Sequence, residues 1–517
     1  MSVRRIGFLL GLAAFVLIAA LPPFETFLDA AGAIPDIGSR TVQLASSMQL
    51  VLALVVLMVI WWLTEAIPLP ATALLPAVVL PLFHVTGFHQ GEEIDFTART
   101  VLVNYSNPII FLFLGGFLLA GAMQKWKLDR RFTLWFLTRG EIANDTRSIL
   151  LGVMIVTAFL SMWISNTATA AMMLPLGLGI LTTLNTRPGE SRYGTALMLG
   201  IAWSASIGGV GTIIGTPPNG IALGILNSTF AGDPNYHSIS FLEWMGIGVP
   251  YVILFIPLAW WILILLNRPE VTRIESGKAR MMEQRQSLGP LSTGEKRTIG
   301  VFLLAVFLWV TNPFWDYALP SFLSAKLEWI DEYSIGLTVG LLLFLVPVNF
   351  RGGTFILDWH DARHVDWGTL LLFGGGIALS EAMFKTGFAS WIATSFVGGL
   401  GAPSTLIMLV AVILLVDFLT EVTSNTAVTS MMVPVVISIA LRTGENPVTL
   451  AVGTALAASM AFMLPVATPP NAIVYSSGFV TIRDMIRSGF FLDIAGWLFT
   501  LFVIAVFGNW LLGILPV

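Results

Sequence analysis

Two Ser-Asn-Thr triplets, at 165–167 and 424–426, lie in the middle of long apolar stretches. Hydroxyl and amide groups can hydrogen-bond to carboxylate oxygens, and side-chain oxygens together with backbone carbonyls can bind a hard cation such as sodium. A polar break in apolar surroundings persists where it lines a cavity or binds a ligand. The residues that offer this chemistry are Ser165, Asn166, Thr167, Ser424, Asn425 and Thr426.

Two Thr-Pro-Pro-Asn segments, beginning at Thr216 and Thr468, interrupt apolar stretches in a similar way. Proline lacks an N–H and ends a helix, so each segment predicts a broken helix whose ends and free carbonyls face a gap. The alternative interpretations are helix capping for the triplets and plain kinks for the prolines. Neither alternative explains matched pairs, so the segments that begin at Thr216 and Thr468 are expected to lie at a binding site.

The amino-acid composition indicates whether the protein lies in water or in a membrane. Of the 517 residues, 56% are hydrophobic and 11% are charged, and the mean hydropathy is +0.85. Soluble proteins are near 25% charged, so the chain is expected to lie in a lipid bilayer rather than to be a soluble enzyme or a nucleic-acid binder. The absence of cysteine excludes disulfides, thiolate metal sites and cysteine nucleophiles.

Apolar runs long enough to cross a bilayer predict an all-α polytopic protein with about 11 transmembrane helices. Two further stretches, 148–184 and 404–441, carry the triplets at their midpoints, and each predicts a re-entrant helical hairpin. The segments 125–147 and 385–400 predict helices along the membrane interface. The predicted spans are 6–22, 49–66, 70–86, 107–124, 194–228, 243–267, 297–312, 333–349, 367–384, 447–478 and 489–514.

Lysine and arginine lie mostly on one side of the predicted membrane spans. With the N-terminus in the cytoplasm, 21 of the 26 basic residues fall on cytoplasmic joints, as the positive-inside rule requires. The layout predicts a cytoplasmic N-terminus, an external C-terminus and, given the short loops, the inner membrane of a bacterium. Residues 1–22 also resemble a signal peptide; we interpret them as a retained first helix, and cleavage would leave the remaining topology unchanged.

The sequence contains an internal repeat. The triplets recur at an offset of 259 residues and the Thr-Pro-Pro-Asn segments at an offset of 252. Each copy contains five spans and one hairpin, and an odd number of crossings predicts that the second copy is inverted. The predicted units are an N-terminal helix and loop (1–48), repeat 1 (49–267), a cytoplasmic linker (268–296) and repeat 2 (297–514). The midpoints of the two hairpins and the two broken helices would then meet near the middle of the membrane, as in the binding site of a secondary transporter.

Charge in the predicted site is scarce. The first hairpin and both broken helices contain no Lys, Arg, Asp, Glu or His, so an anionic substrate would be neutralised by bound cations and helix dipoles, which favours cotransported sodium. Asp417 and Glu421 lie in the second hairpin. Intramembrane acids are functional suspects, and two interpretations stay open for this pair: a structural role under the tip, or a role in ion or proton coupling.

With its paired triplets and Pro-Pro-Asn segments, the chain resembles the divalent anion/sodium symporter family, which includes sodium-coupled dicarboxylate transporters, over residues 45–515. The resemblance implies a homodimer with an elevator mechanism, in which a transport domain moves against a scaffold. Mapped onto this chain, the scaffold is about 1–106 and 243–366, and the transport domain is about 107–242 and 367–488.

The resemblance also implies two sodium sites and a substrate site. Substrate carboxylates would contact Asn166, Thr167, Asn425 and Thr426, near Thr468 and Pro469, and Thr426 favours dicarboxylates because sulfate carriers tend to have proline there. The neutral Ser161 and Thr420 favour symport over exchange. The sodium ligands would be Ser161, Ser165, Asn166 and the Gly215 carbonyl in the first site, and Thr420, Thr423, Asn425 and the Ala467 carbonyl in the second.

The sequence therefore predicts a sodium-coupled symporter of C4 dicarboxylates such as succinate, malate or fumarate. The alternatives on the same fold are a sodium-independent dicarboxylate exchanger and a sulfate or tricarboxylate carrier. A membrane-embedded enzyme is disfavoured because no cluster of acids, metal ligands or nucleophile with base is recognisable. A channel is the remaining class, and unitary conductance would reveal it.

Overall fold

A computed structural model describes residues 3–34, 38–89, 92–139, 142, 145–272, 277–327, 329–400 and 405–508. Position 404 of the second predicted hairpin, residues 509–514 of the last predicted span and residues 1–2 of the N-terminal unit lie outside the described residues. The described part is mostly helical and has two short antiparallel strand pairs, which confirms the prediction of a helical protein. The strands are β1 (Thr86–His89), β2 (Glu92–Asp95), β3 (Pro347–Asn349) and β4 (Thr354–Phe355).

The first half of the chain folds into thirteen described helices. They are α1 (Val3–Ala20), α2 (Glu25–Gly32), α3 (Thr41–Thr64), α4 (Leu69–Thr72), α5 (Leu75–Leu82), α6 (Ala98–Leu102), α7 (Pro108–Lys125), α8 (Leu128–Leu137), α9 (Thr146–Ser161), α10 (Asn166–Thr183), α11 (Arg192–Gly209), α12 (Pro217–Thr229) and α13 (Phe241–Leu266).

The second half follows a similar order after a linker helix. Its helices are α14 (Gly277–Ser287), α15 (Thr293–Thr311), α16 (Trp315–Ala318), α17 (Ser321–Leu327), α18 (Glu332–Leu345), α19 (Trp367–Lys385), α20 (Phe388–Leu400), α21 (Thr405–Val422), α22 (Asn425–Thr443), α23 (Pro447–Ala458), α24 (Pro469–Tyr475) and α25 (Ile482–Val503).

Eight helices of the described chain are long and apolar enough to cross a membrane. Helix α1 is the least buried of them, with 17% of its apolar window buried inside the protein, so most of its surface is available to lipid. The eight segments are Val3–Ala20, Gly38–Thr64, Ala98–Lys125, Phe241–Leu266, Thr293–Phe314, Trp367–Lys385, Asn425–Thr443 and Ile482–Val506.

The segment 70–86 differs from its prediction. Instead of one continuous span it forms α4 and α5, of four and eight residues, followed by β1. Prolines at 68, 70, 76 and 81 each remove a backbone donor and crowd the preceding turn, which prevents a long regular helix. The prediction of one continuous span there is wrong, because the prolines interrupt the helix although the segment is apolar throughout.

The two halves interlock at their broken helices. Helix α12 of the first half contacts α19, α22 and α23 of the second, and α24 contacts α10 and α11 of the first. Helix α11 is the centre of this packing, since all of its residues from Tyr193 to Gly209 are buried. The interlocking places the two triplets and the two Thr-Pro-Pro-Asn segments in one region of the molecule.

Two glycine pairs, Gly115-Gly116 and Gly375-Gly376, also recur at an offset of 260 residues, and they are close-packing contacts of the kind made by helices that approach through small residues. A Cβ atom on Gly115 of α7 would lie 2.0 Å from the Gly336 carbonyl oxygen of α18, and one on Gly375 of α19 would lie 2.1 Å from the Ala73 carbonyl oxygen. The backbones therefore touch directly at both crossings, which larger side chains would prevent.

Candidate functional site

The first triplet forms the connection between α9 and α10, which we call the first tip (162–165). Ser161 Oγ, at the end of α9, lies 2.8 Å from Asn166 Oδ1 and 2.7 Å from the Ala205 carbonyl oxygen of α11. Ser165 caps α10 by accepting a hydrogen bond from Ala168 N at 3.4 Å. These bonds fix the Asn166 amide at the start of a helix, where free backbone N–H groups favour anions.

The first gap (210–216) separates α11 from α12 next to this tip. Asn219 Nδ2 donates to the carbonyl oxygens of Gly209 at 3.1 Å and Thr212 at 2.8 Å, and so binds the two sides of the gap together. Asn166 Nδ2 reaches Thr216 Oγ1 at 3.4 Å. The tip and the gap are thus joined by a side-chain contact, and carbonyl oxygens collect beside the Asn166 amide.

The second triplet repeats this arrangement at the second tip (423–424), between α21 and α22. Thr420 Oγ1 lies 2.6 Å from Asn425 Oδ1 and 2.8 Å from the Ala458 carbonyl oxygen. In the second gap (459–468), Asn471 Nδ2 donates to the carbonyl oxygens of Ala461 at 3.1 Å and Leu464 at 3.0 Å. Each contact has its counterpart in the first half, so the repeat is a repeat of hydrogen-bond geometry as well as of sequence.

Both tips and both gaps line one cavity of about 690 Å³. All nine predicted substrate contacts line it, and so do Gly215, Thr423 and Ala467 from the predicted sodium ligands. Ser161 and Thr420 are fully buried behind the cavity wall and contact it through their asparagines. The substrate contacts are Ser165, Asn166, Thr167, Thr216, Ser424, Asn425, Thr426, Thr468 and Pro469.

Three charged side chains line the cavity together with the tips. Its ionisable lining residues in the described chain are Arg4, Glu65 and Asp366, and Arg4 pairs with Glu65 at 2.8 Å. Both members of that pair are more than half exposed, so they mark the mouth of the cavity. At the tips themselves, amides, hydroxyls and the N-terminal ends of α10 and α22 supply the polarity, which can hold an anion without a fixed cation.

Two glycines keep the space beside the first tip small and rich in oxygen. A Cβ atom on Gly209 would lie 2.4 Å from Asn166 Oδ1, and one on Gly215 would lie 2.4 Å from the Gly209 carbonyl oxygen and 3.0 Å from the Ser161 carbonyl oxygen. Only a residue without a side chain allows these oxygens to gather so closely. Alanines, Ala461 and Ala467, stand at the equivalent positions of the second gap.

Sequence reasoning missed the role of two asparagines and of one acid. Asn219 and Asn471 end the two Thr-Pro-Pro-Asn segments, and their recurrence could have indicated a role in the site. The sequence prediction included only Thr216, Thr468 and Pro469 from these segments. Asp493 on α25 is 1% exposed beside Asp417 and Glu421, and no sequence pattern marked it. Glu421 accepts hydrogen bonds from three backbone N–H groups in the second gap, which supports the structural interpretation of this residue.

A family model described as "Sodium:sulfate symporter transmembrane region" matches residues 40–514 of this chain. The chain belongs to the sodium:sulfate symporter family. This membership and the eight apolar helices make it a multi-pass membrane protein of a transporter family, and they agree with the expectation that it is not an enzyme. The resemblance inferred from the triplets is thereby confirmed.

Curated members of this symporter family are similar over most of their length. The sodium-dependent dicarboxylate transporter SdcS of Staphylococcus saprophyticus is 38% identical over 457 residues, covering 86% of this chain and 83% of the relative. SdcS of Staphylococcus aureus is 36% identical over 467 residues, covering 88% of this chain and 85% of the relative.

Solved structures with the same fold are more distant in sequence. The YdaH transporter of Alcanivorax borkumensis matches with a TM-score of 0.55 at 15% identity, covering 88% of this chain and 98% of that one. MtrF of Neisseria gonorrhoeae matches with a TM-score of 0.54 at 13% identity, covering 88% of this chain and 94% of that one. At such low identity the likeness concerns the fold alone.

Proposed function

We propose that this symporter-family member couples the movement of sodium to the import of C4 dicarboxylates such as succinate, malate or fumarate. The observation that carries the proposal is the convergence of both tips and both gaps on one cavity whose polar lining there consists of neutral amides, hydroxyls and backbone groups. The relatives named as sodium-dependent dicarboxylate transporters support the same substrate class.

The first proposed sodium site lies between the first tip and the first gap. Its ligands are side-chain oxygens of Ser161, Ser165 and Asn166 and the Gly215 carbonyl. Hard monovalent cations prefer such oxygen ligands, and the absence of side chains at Gly209 and Gly215 allows these oxygens to lie close together. Asn166 would bind the ion through Oδ1, and its amide also lines the cavity. Ion binding would therefore orient the amide that contacts the substrate.

The second proposed sodium site uses Thr420, Thr423, Asn425 and the Ala467 carbonyl. Thr423 supports this assignment because its hydroxyl oxygen is buried and has no hydrogen-bond partner among the described residues. A buried hydroxyl without a partner is unfavourable by about 1–3 kcal/mol, and a bound cation would satisfy it. Between the two ions, the amides of Asn166 and Asn425 and the hydroxyls of Thr167 and Thr426 would hold the two carboxylates of the substrate.

We further propose an elevator mechanism in a homodimer. The transport domain would comprise about 107–242 and 367–488, which includes both tips and both gaps, and the scaffold would comprise about 1–106 and 243–366. We also propose that the N-terminus lies in the cytoplasm of a bacterium and the C-terminus outside. The mouth beside Arg4 and Glu65 would then open inward, as in an inward-open state.

Uptake of labelled succinate into proteoliposomes tests the function. An inward sodium gradient should drive accumulation above equilibrium, and an equal potassium gradient should not. Exchange of preloaded succinate without any sodium requirement would instead identify an exchanger. Stronger competition by sulfate or citrate than by malate and fumarate would replace the proposed substrate class with a sulfate or tricarboxylate carrier.

A further inference from the structure

A second cavity, of about 600 Å³, lies between α8, α10 and the linker helix α14. Among the described residues it shares no lining residue with the substrate cavity. Its volume is within the range of about 300–1,000 Å³ that is typical of ligand-binding cavities. In the described part of the chain, Arg130 is its one ionisable lining residue. The cavity is therefore suited to a ligand that carries an anionic group.

Most of the wall of this cavity is apolar and can adapt its shape. Helix α10 contributes Met172 and Leu176, and α14 contributes Met281, which is 6% exposed. Methionine side chains are flexible and polarisable, so they fit irregular apolar ligands. Gly179 of α10 leaves part of the wall open, since a Cβ atom there would meet nothing within 4 Å. The cavity therefore has room for a hydrocarbon chain along α10.

The guanidinium of Arg130 is without a partner in the part of the chain that the structure describes. No ion pair there includes it, and the neighbouring acid, Asp129, accepts a hydrogen bond from the Arg130 backbone N–H at 2.6 Å instead. Arg131, by contrast, donates to the carbonyl oxygens of Leu288 at 3.0 Å and Gly289 at 2.9 Å, and so holds the linker on α8. The arginine that lines the cavity is thus the one that is free to bind an anion.

Helix α8 has the side chains of a helix at the membrane boundary. Phe132 stacks on Trp135 with 5.8 Å between ring centroids, and Arg139 lies 4.3 Å over the Trp135 ring. Tryptophan is enriched at the level of the lipid headgroups. Arg130 precedes Trp135 by five residues on the same helix, which is about 7.5 Å along its axis. Arg130 is therefore expected near the level of the lipid phosphates.

We propose that this cavity binds one anionic phospholipid of the cytoplasmic leaflet, with the lipid phosphate at Arg130 and an acyl chain along α10. The assignment to the cytoplasmic leaflet rests on the orientation proposed above. A guanidinium matches the geometry of phosphate, and basic pockets between helices on the cytoplasmic side are suited to acidic lipid headgroups. Because α10 begins at the first tip and α14 belongs to the linker between the repeats, the lipid would contact both of these parts of the chain.

Binding of phosphatidylglycerol to the purified protein tests the site. We expect native mass spectrometry in a mild detergent to detect one more retained phosphatidylglycerol per chain in wild type than in Arg130→Gln or Gly179→Leu. The first variant removes the charge, and the second fills the open part of the cavity. Arg139→Gln and Gly300→Leu are the matched controls and should retain the lipid. Arg139 does not line the cavity, and Gly300 on α15 also has nothing within 4 Å of its Cβ position.

The two substitutions test separate parts of the proposal. Equal retention of phosphatidylglycerol in wild type and in both variants would overturn the site. Retention in Gly179→Leu together with loss in Arg130→Gln would mean that the headgroup binds while the acyl chain lies outside the cavity, which also contradicts the proposal. If wild type retained phosphatidylcholine equally well, the assignment to an anionic lipid would be wrong.

Crosslinking in a bilayer provides a measurement that needs no variant. Wild type is reconstituted into phosphatidylcholine vesicles with a trace of phosphatidylglycerol that carries a photoreactive group on one acyl chain. Illumination should label α10 near Met172 and Leu176, and excess unlabelled phosphatidylglycerol should abolish this labelling whereas excess phosphatidylcholine should not. Labelling elsewhere, or labelling without such competition, would overturn the site. Neither measurement depends on succinate uptake, so failure of the proposed transport function would leave the lipid site intact.

Discussion

The first and second gaps hold the same oxygen geometry by different means. In the first, residues 210–216 are wound into turns, with Gly211 N bonded to the Gly208 carbonyl at 2.9 Å. In the second, the backbone from 460 to 464 is not wound into turns, and Glu421 takes up three of its N–H groups. The contacts among the asparagines, the hydroxyls and the carbonyl oxygens occur in both gaps. The groups that accept hydrogen bonds from the backbone N–H groups of the gaps differ between the two.

The comparison separates the contacts that the two halves share from those that differ. Ser161 and Thr420, Asn166 and Asn425 keep matching partners at matching distances. The groups that only support the gap are free to differ, since any donor or acceptor of suitable geometry satisfies a buried amide. Four experiments test this division.

The asparagines should behave alike in the two halves. Asn166→Ala and Asn425→Ala each remove an amide that faces the cavity and one of the two oxygens that the buried hydroxyl of Ser161 or Thr420 contacts. We expect each to reduce sodium-driven uptake by about 100-fold or more, corresponding to about 3 kcal/mol. Succinate uptake into proteoliposomes at matched protein levels measures this. Unimpaired transport in both variants would contradict the site, and loss in only one would break the proposed equivalence.

Glu421 and its counterpart should behave differently. Glu421→Leu leaves three buried N–H groups unpaired, and we expect it to lower the free energy of unfolding by about 3 kcal/mol or more. Met162, 259 residues earlier, is the counterpart in the first half, and Met162→Leu conserves volume and should change that free energy by less than about 1.5 kcal/mol. Thermal unfolding in detergent compares the two variants, and similar losses of stability would show that the first gap also depends on the residue at this position.

The small residue beside each tip, Gly209 in the first half and Ala461 in the second, should also differ in its tolerance of substitution. Gly209→Ala would place a methyl group 2.4 Å from Asn166 Oδ1, so we expect the sodium concentration for half-maximal uptake to rise about 10-fold. Ala461→Gly in the second gap adds no atom and should change it by less than about threefold. Sodium titration of succinate uptake measures both, and an unaltered sodium dependence in Gly209→Ala would remove the first proposed ion site.

The hydroxyl pair should give the smallest effect. Thr420→Ser retains the oxygen that lies 2.6 Å from Asn425 Oδ1 and introduces the residue type found at Ser161 in the first half. The sodium dependence of uptake should therefore stay within about threefold of wild type. Thr420→Val keeps the shape without the hydroxyl and is the contrasting variant, with an expected loss of about 10-fold. If the two variants were equally impaired, the methyl group would matter and the halves would not be interchangeable here.

Much of the site was predictable because its residues occur twice. The triplets and the Thr-Pro-Pro-Asn segments combine an unusual local chemistry with a constant spacing, and both survive in the sequence whatever the packing around them. The contact of Glu421 with the amides of 462–464 was not predictable, because it joins segments 41 to 43 residues apart. Asp493 is a single acid on an apolar helix, and only the folded structure brings it beside Asp417 and Glu421.

The contact of α7 with α18 bears on how the two proposed domains would move past each other. Gly115 of α7 rests on the backbone at Gly336 and Gly340 of α18, and the side chains of Leu112 and Leu118 pack against the same two glycines. Sliding α7 along α18 would therefore have to lift these two leucines out of the groove that the glycines leave. This contact would resist a gradual slide, so the two helices would either move as one body or pass from one discrete packing to another.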